Sequence, residues 1–290
     1  MEKKSRVLIV GATGKLGHEL AKASLNFSHP TFALVRDSAF ADPDKLVKLH
    51  SLSDAGVTLL KGSLQDEESL IEAIKKVDVV ICAVNSAQRF IPSEFGLDPD
   101  KVQISGMDYN FYSRKAEIRR LVEAEGIPYT FISCNPFMSC LLPSLVQPEL
   151  KAPPRDEIKI YGDGNKKGVF VKECDVAAFT ISTLDDPRTL NKVLYLRPSG
   201  NVYSMNELAD IWETKITKKL RRLYISEEQL LHKIRETPYP DNMVFVFIYS
   251  VFIKGDQTYF DIDSSGGLEG TQLYPHLKYT TINEYLDTLV

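Results

Sequence analysis

An α/β fold built on a doubly wound parallel sheet is what this 290-residue sequence predicts, with a smaller α+β part toward the C-terminus. Three observations carry the expectation. Val7–Val10 is an aliphatic run too short for a helix and apolar on both faces, as a strand inside a parallel sheet is. It leads straight into glycines at G-x-x-G-x-x-G spacing, Gly11-Ala12-Thr13-Gly14-Lys15-Leu16-Gly17, and then into a helical apolar period at Leu16, Leu20, Ala23 and Phe27. Strand and helix patterns then alternate at short intervals.

Each glycine has a task in such a turn. Gly11 lets the chain leave the strand sharply, Gly14 lets backbone N–H groups approach an anion, and Gly17 lets the helix pack closely on the sheet. The positive end of the helix then faces the turn. Strand, turn and helix together form a Rossmann-type dinucleotide site. Thr31–Val35 reads as the second strand and ends at Arg36, whose planar fork suits a ribose 2′-phosphate. Lys45 is near enough in sequence to help; the competing reading is two solvated charges, which for Lys45 alone is the better one. The cofactor expected from these residues is NADPH.

Val57–Lys61 is a third strand, and Asp66 is a suitable N-cap for a helix over 67–77 that buries Leu70, Ile71, Ile74 and Val77. Asp78–Val84 is a fourth strand. Asn85–Gln88 then runs at once into Arg89–Pro92, which reads as a fifth. Parallel neighbours need a crossover of about a dozen residues. Either this piece is not a parallel neighbour, or a crossover helix is missing between Gln88 and Arg89. A helix over Tyr109–Glu125 turns Ile118, Leu121 and Val122 inward, and Tyr129–Cys134 is a further strand. Strand patterns at Ile158–Tyr161 and Gly168–Val171 and helices near 173–184, 204–216 and 226–236 follow. The division read from this is a dinucleotide-binding part over 1–137 and a substrate-binding part over 138–290.

Bulk properties exclude several classes. The net charge is −4, so no basic field invites nucleic acid or an anionic membrane. The most apolar late segment, Met243–Ile253, is far short of a membrane span. It reads as core or pocket wall, with Phe245, Phe247, Tyr249 and Phe252 available to line a flat substrate. Cys82, Cys134, Cys140 and Cys174 lack C-x-x-C spacing and read as reduced core thiols of a cytoplasmic protein, with no metal site.

The chemistry falls on one helix. A reductase places a substrate carbon against the nicotinamide and manages one proton. The common Tyr-x-x-x-Lys pair is absent, because Phe111 stands four residues before Lys115. Lys115 is left as the acid–base group. A lysine acts as a base near neutrality only when burial or a neighbouring cation lowers its pKa, and Arg119 on the same face is such a neighbour. The competing reading is a solvated Lys/Arg face. The five histidines are scattered, and no G-x-S-x-G occurs.

Together VLIVGATGKLG (Val7–Gly17), TFALVR (Thr31–Arg36), RFIPSEFG (Arg89–Gly96), RKAEIRRLVEAEGIPYTFISCNPF (Arg114–Phe137), APPRDEIKIYGDGN (Ala152–Asn165), DDPRTLNKVLYLRP (Asp185–Pro198), FIKGDQTYF (Phe252–Phe260) and LYPHLKYTTINEYL (Leu273–Leu286) resemble the plant isoflavone reductase-like proteins, NmrA-like members of the atypical short-chain dehydrogenases. The group includes phenylcoumaran benzylic ether reductases, which this sequence resembles most, pinoresinol–lariciresinol reductases, isoflavone reductases and eugenol synthases. The resemblance implies NADPH held by Gly11, Ala12, Thr13, Gly14, Lys15, Leu16, Gly17, Arg36 and Lys45. It places the catalytic lysine at Lys115, a cofactor-contacting arginine at Arg119, and nicotinamide neighbours at Asn135 and Phe137. It implies a small aromatic phenol as substrate, reduced at a benzylic carbon through a quinone methide, with a homodimer open as the assembly. Eugenol or isoeugenol synthesis, isoflavone reduction and a non-catalytic NADP(H)-binding role are the alternatives. Lys15 departs from the family's usual Tyr, Tyr249 stands where a histidine of the substrate pocket is common, and the family carries a helix between the segments matching Gln88 and Arg89. That gap puts cofactor binding and folding in question.

Overall fold

The computed structural model describes residues 4–63, 66–81, 89–104 and 106–290. Its centre is a parallel sheet in the order β3-β2-β1-β4-β5, made of β1 (Val7–Val10), β2 (Thr31–Val35), β3 (Thr58–Lys61), β4 (Val79–Ile81) and β5 (Arg89–Ile91). A parallel bridge from Phe90 to Tyr129 carries the order on to β6 (Thr130–Ser133), and thence to β9 (Lys192–Tyr195) and β12 (Leu268–Glu269). The order reverses at β1, so β1 and β4 flank the switch point where such sheets bind ligands.

The pleat sends alternate residues of β1 to opposite faces. Val7 and Ile9 pack with Leu20 and Ala21 of α1 (Lys15–Asn26), Leu49 and Leu52 of α3 (Pro43–Asp54), and Val176 and Ala177 of α7 (Glu173–Ser182). A short helix, α2 (Asp37–Phe40), precedes α3. Leu8 and Val80 face the other way, against Leu70, Ala73 and Ile74 of α4 (Glu67–Ile74).

The ambiguity after β4 is resolved in favour of a parallel neighbour. Val79, Val80 and Ile81 register with Arg89, Phe90 and Ile91. The connection, 82–88, lies outside the described residues, as do Cys82, the end of the expected fourth strand and Asn85–Gln88. It is seven residues long, against about a dozen in an ordinary crossover. Beyond it, Arg89 is buried and donates to the Thr183 carbonyl, to Thr189 Oγ1 (2.9 Å) and to the Asp186 carbonyl (3.1 Å), which anchors β5.

The helices on this side depart from the expected burial. Ile71 of α4 is 43% exposed, and Ile118 and Leu121 of α5 (Phe111–Ala124) are 46% and 62% exposed. Of the three residues expected inward on α5, only Val122 is buried, beside Tyr112 and Arg119. Phe90, on the Val80 face by register, is half-buried and joins none of the apolar clusters. Parallel strands need cover on both faces, and the crossover helix ordinarily supplies it. Here the strip between α4 and α5 lacks that cover among the described residues. The helix over α5 also starts later than expected, because Tyr109 and Asn110 take left-handed φ of 50° and 64°.

Three elements beyond residue 137 pack with those before it: β9 and β12 extend the sheet from β6, and α7 packs against β1. The remaining C-terminal elements form a second core. It centres on Trp212 of α8 (Met205–Lys215) and includes α9 (Glu227–Glu236), α10 (Met243–Ile248) and the parallel pair β7 (Glu157–Tyr161) and β11 (Arg221–Ile225). A short antiparallel pair, β8 (Lys167–Val169) and β10 (Val202–Ser204), completes this part with α6 (Met138–Leu141) and α12 (Ile282–Asp287), whereas α11 (Gly270–Leu273) packs with the main core through Leu273. Cys134 is buried as expected, but Cys140 is exposed. Among the described residues no helix is long and apolar enough to cross a membrane.

Candidate active site

The glycine turn has the geometry its spacing implies. Gly11 has φ +86°, where an L side chain is strained, and the Gly14 N–H donates to the Gly11 carbonyl (2.9 Å). A Cβ on Gly17 would stand 2.2 Å from the Gly11 carbonyl oxygen, so helix and turn touch through backbone alone. Gly14 caps α1 without a side-chain hydrogen bond, and the first turn of α1 carries no acidic residue. Its N–H groups and dipole are therefore free to meet an anion. Lys48 donates to the Thr13 carbonyl (3.0 Å) and steadies the turn from α3. The spacing of Lys45 and Lys48 along α3 gave no means of telling which would reach this loop.

Arg36 lies exposed at the end of β2, its guanidinium with no ion pair or hydrogen bond among the described residues, while its neighbour Asp37 pairs with Lys61 (3.3 Å). Lys45 is not free in the same way: its amine contacts Asp42 (2.7 Å), which also caps α3. A glycine-rich cradle, a helix start with no side-chain cap and a guanidinium unpaired among the described residues at the second strand fit a dinucleotide bearing a 2′-phosphate.

The loop after β5 organises the other half of the site. Lys115 donates its Nζ hydrogen to the Glu94 backbone carbonyl (2.5 Å) and sits 4.5 Å from the centroid of the Phe111 ring. Phe111, the residue that removes the Tyr-x-x-x-Lys pair, therefore packs on the amine. Phe247 of α10 meets Phe111 (5.9 Å) and Tyr112 (6.3 Å) edge-on, so an aromatic wall stands beside Lys115. Burial pushes the Lys115 pKa down; Glu94 and Cys134 oppose this, and Arg119 adds only a minor lowering. The direction agrees with the sequence argument, but desolvation rather than the neighbouring cation is the main cause.

Arg119, which the resemblance makes a cofactor contact, is bound to carboxylates in the structure. It is 1% exposed, and all three guanidinium nitrogens are taken. Nε and Nη2 form a fork on the Glu94 carboxylate (2.6 and 2.5 Å), and Nη1 reaches Asp98 (2.6 Å) and Asp100 (3.0 Å). The plane lies over Phe131, 4.9 Å from its centroid. Its donors tie α5 to the loop that carries Glu94, Asp98 and Asp100. Burial pushes the Glu94 carboxyl up, against the pull of Arg119.

Asn135 has φ +65°, donates its N–H to the Gly96 carbonyl (2.9 Å) and its Nδ2 hydrogen to the Leu196 carbonyl (2.9 Å). Phe137 follows, bridged to Val171. Lys115 and Asn135 are thus tied to one loop through Glu94 and Gly96. Tyr249 is elsewhere: it is buried, its hydroxyl donates to Glu227 (2.7 Å), and Lys254 lies 5.2 Å from its ring centroid. The structure brings Phe247, not Tyr249, to the aromatic wall at Lys115. Glu94 had no signal in spacing or periodicity; only the loop geometry reveals it.

The NmrA-like family matches residues 3–89 and 85–286 in two pieces that meet at the short connection. A probable pinoresinol-lariciresinol reductase of Arabidopsis thaliana is 59% identical, covering 100% of this chain and 99% of its own length. That alignment runs over 307 positions against 290 residues here, so at least 17 positions of the relative have no counterpart (307 − 290). A phenylcoumaran benzylic ether reductase of Ginkgo biloba is 50% identical over 99% of both chains. Among solved structures, AtPrR2 with NADP+ and (+)-pinoresinol superposes with a TM-score of 0.93 at 34% identity, over 100% of both chains. With a Rossmann-like sheet, an open glycine cradle and relatives matched end to end, the chain belongs to the NmrA-like family, among its isoflavone reductase-like reductases.

Proposed function

We propose that the protein is an NADPH-dependent reductase of phenylpropanoid-derived phenols in which Lys115 is the general base. The turn Gly11–Gly17 and Arg36 would hold the cofactor, with Asn135 and Phe137 on the nicotinamide side. Bound NADPH would supply a hydride to a benzylic carbon. The observation that carries the reading is the Lys115 amine, partly desolvated against the Glu94 carbonyl and the Phe111 ring, with no tyrosine acid at the offset that carbonyl reduction uses.

A lysine suits a phenol better than a carbonyl. Phenols ionise near pH 10, so an amine held below its ordinary value exchanges a proton with a phenol near balance. Lys115 takes the phenolic proton. The oxygen's electron pair moves into the ring and the benzylic C–O bond breaks, which leaves a quinone methide and an oxyanion, an alkoxide from a furan ether or a phenoxide from a phenylcoumaran. The protonated Lys115 amine returns its proton to that oxygen. Hydride addition at the benzylic carbon then restores the aromatic phenolate, which takes a proton from solvent. Phe111 and Phe247 provide flat apolar surface for the rings and keep water from the reactive carbon.

The test is turnover of purified protein with NADPH and, separately, (+)-pinoresinol, a phenylcoumaran, an isoflavone and coniferyl acetate, with products identified by mass spectrometry. Reduction of either of the first two at a benzylic carbon supports the reading. Turnover of coniferyl acetate alone assigns the protein to eugenol-type synthesis. Cofactor binding without turnover of any of the four overturns the enzymatic reading.

A further inference from the structure

We infer that Glu94 is a positioning residue for the base: its backbone carbonyl holds the Lys115 amine while its carboxylate, gripped by Arg119, fixes that carbonyl in place. The inference rests on Lys115 as the base and deepens that reading.

The geometry is unusually economical. Lys115 and Arg119 are one helical turn apart on α5, and both clasp Glu94, one at its carbonyl (2.5 Å) and the other at its carboxylate (2.6 and 2.5 Å). A shift of the loop against the helix therefore moves the amine's anchor and strains the fork together. The loop is also held from two other sides. Asp98 takes a second Arg119 bond (2.6 Å) and accepts from the Tyr195 hydroxyl of β9. The Gly96 carbonyl accepts from the Asn135 N–H (2.9 Å) and the Ser133 hydroxyl (3.4 Å) of the β6 end. Base side and nicotinamide side are thus registered through one short segment.

Buried charge is a costly way to hold a loop. Glu94, Asp98 and Arg119 are all nearly inaccessible, and an apolar contact of the same volume would hold the segment at less cost. What the ion pair adds is direction, because a two-bond fork fixes angle as well as distance. It also adds charge next to the amine. The groups that act on Lys115 are Glu94, Cys134 and Arg119; of these Glu94 is the leading one that favours the protonated form.

The experiment reads the amine directly. Protein labelled with 15N-lysine is titrated by NMR, with the Lys115 signal assigned from Lys115→Arg, in wild type, Glu94→Gln and Tyr195→Phe. Turnover of (+)-pinoresinol is followed in parallel. Glu94→Gln keeps the backbone carbonyl but removes the charge. Its Lys115 titration is expected to move down by roughly one pH unit. kcat should fall about tenfold to a hundredfold, with KM for NADPH within about twofold of wild type. Pairing Glu94→Gln with Arg119→Gln restores a neutral hydrogen-bonded couple. It should recover kcat relative to Arg119→Gln alone while the titration stays displaced. Tyr195→Phe removes one hydroxyl and no volume, so it serves if Glu94→Gln does not fold; it should lower kcat about twofold to fivefold. An unmoved Lys115 titration in the folded variants, with kcat unchanged, overturns the inference whatever their stability. Lys115→Ala separates the two levels: activity retained there overturns the base reading, whereas activity lost there with Glu94→Gln unaffected overturns only the role of Glu94.

Discussion

The two faces of the main sheet are built to different standards. The face toward α1, α3 and α7 is closed: Leu20, Leu49 and Leu52 are buried against Val7 and Ile9. The face toward α4 and α5 is closed over β1 but, among the described residues, less covered over β5, where Phe90 is half-buried; Ile71 of α4 and Ile118 and Leu121 of α5 are exposed. The strip lies beside β5, whose connection from β4 is seven residues long against about a dozen in an ordinary crossover. Burial in a parallel sheet thus comes from the connections as much as from the strands. The glycine cradle belongs to the closed face, and Lys115 is carried by the helix that borders the open one.

The largest expected effect separates chemistry from cover. Lys115→Met should cut turnover by about 10²–10⁴, as loss of a general base does. It should also raise stability slightly at neutral pH. The sign follows from the depressed pKa: folding disfavours the charged amine, a cost present below the folded pKa and gone above the ordinary lysine value. The gain should therefore vanish as pH rises past about 10.4. Urea denaturation at two pH values checks this, and a loss of stability at neutral pH would contradict it.

On the closed face, Leu20→Ala should cost about 2–5 kcal/mol by cavity formation, read from the urea midpoint. Restoring the cover is the next step down. Inserting, between Gln88 and Arg89, a crossover helix of the kind the family resemblance implies there should add about 2–4 kcal/mol by burying Ile71, Ile118, Leu121 and Phe90. The melting temperature should rise accordingly, and an unchanged value would mean that the strip is not where the segment packs. The smallest effect is Leu121→Ala in the present chain, expected within about 0.5 kcal/mol because the side chain already faces water. The same substitution after the insertion should become costly, which makes the pair of measurements the sharpest test of the comparison.

Much of this was legible in the residues. The glycine spacing, Arg36 at the end of the second strand, and Lys115 without a tyrosine partner are local facts, written within one turn or one strand end. The impossibility of an ordinary crossover after Gln88 is likewise a matter of counting. Burial on α5 was misread because the apolar period of Ile118, Leu121 and Val122 presumes a neighbour on that side. That the Tyr249 hydroxyl meets Glu227 is a contact between segments 22 residues apart, which no local pattern encodes.

By itself, then, the sequence determined the α/β class, the dinucleotide turn and the candidate base, because each depends on residues that are neighbours along the chain. Tertiary structure decided what Arg119 does, that Glu94 holds the amine, and which face of the sheet is left open. Those depend on contacts among segments separated by 20 residues or more, such as Arg119 with Glu94 and Asp98, or Asp98 with Tyr195. No periodicity in the chain encodes which buried charge will meet which.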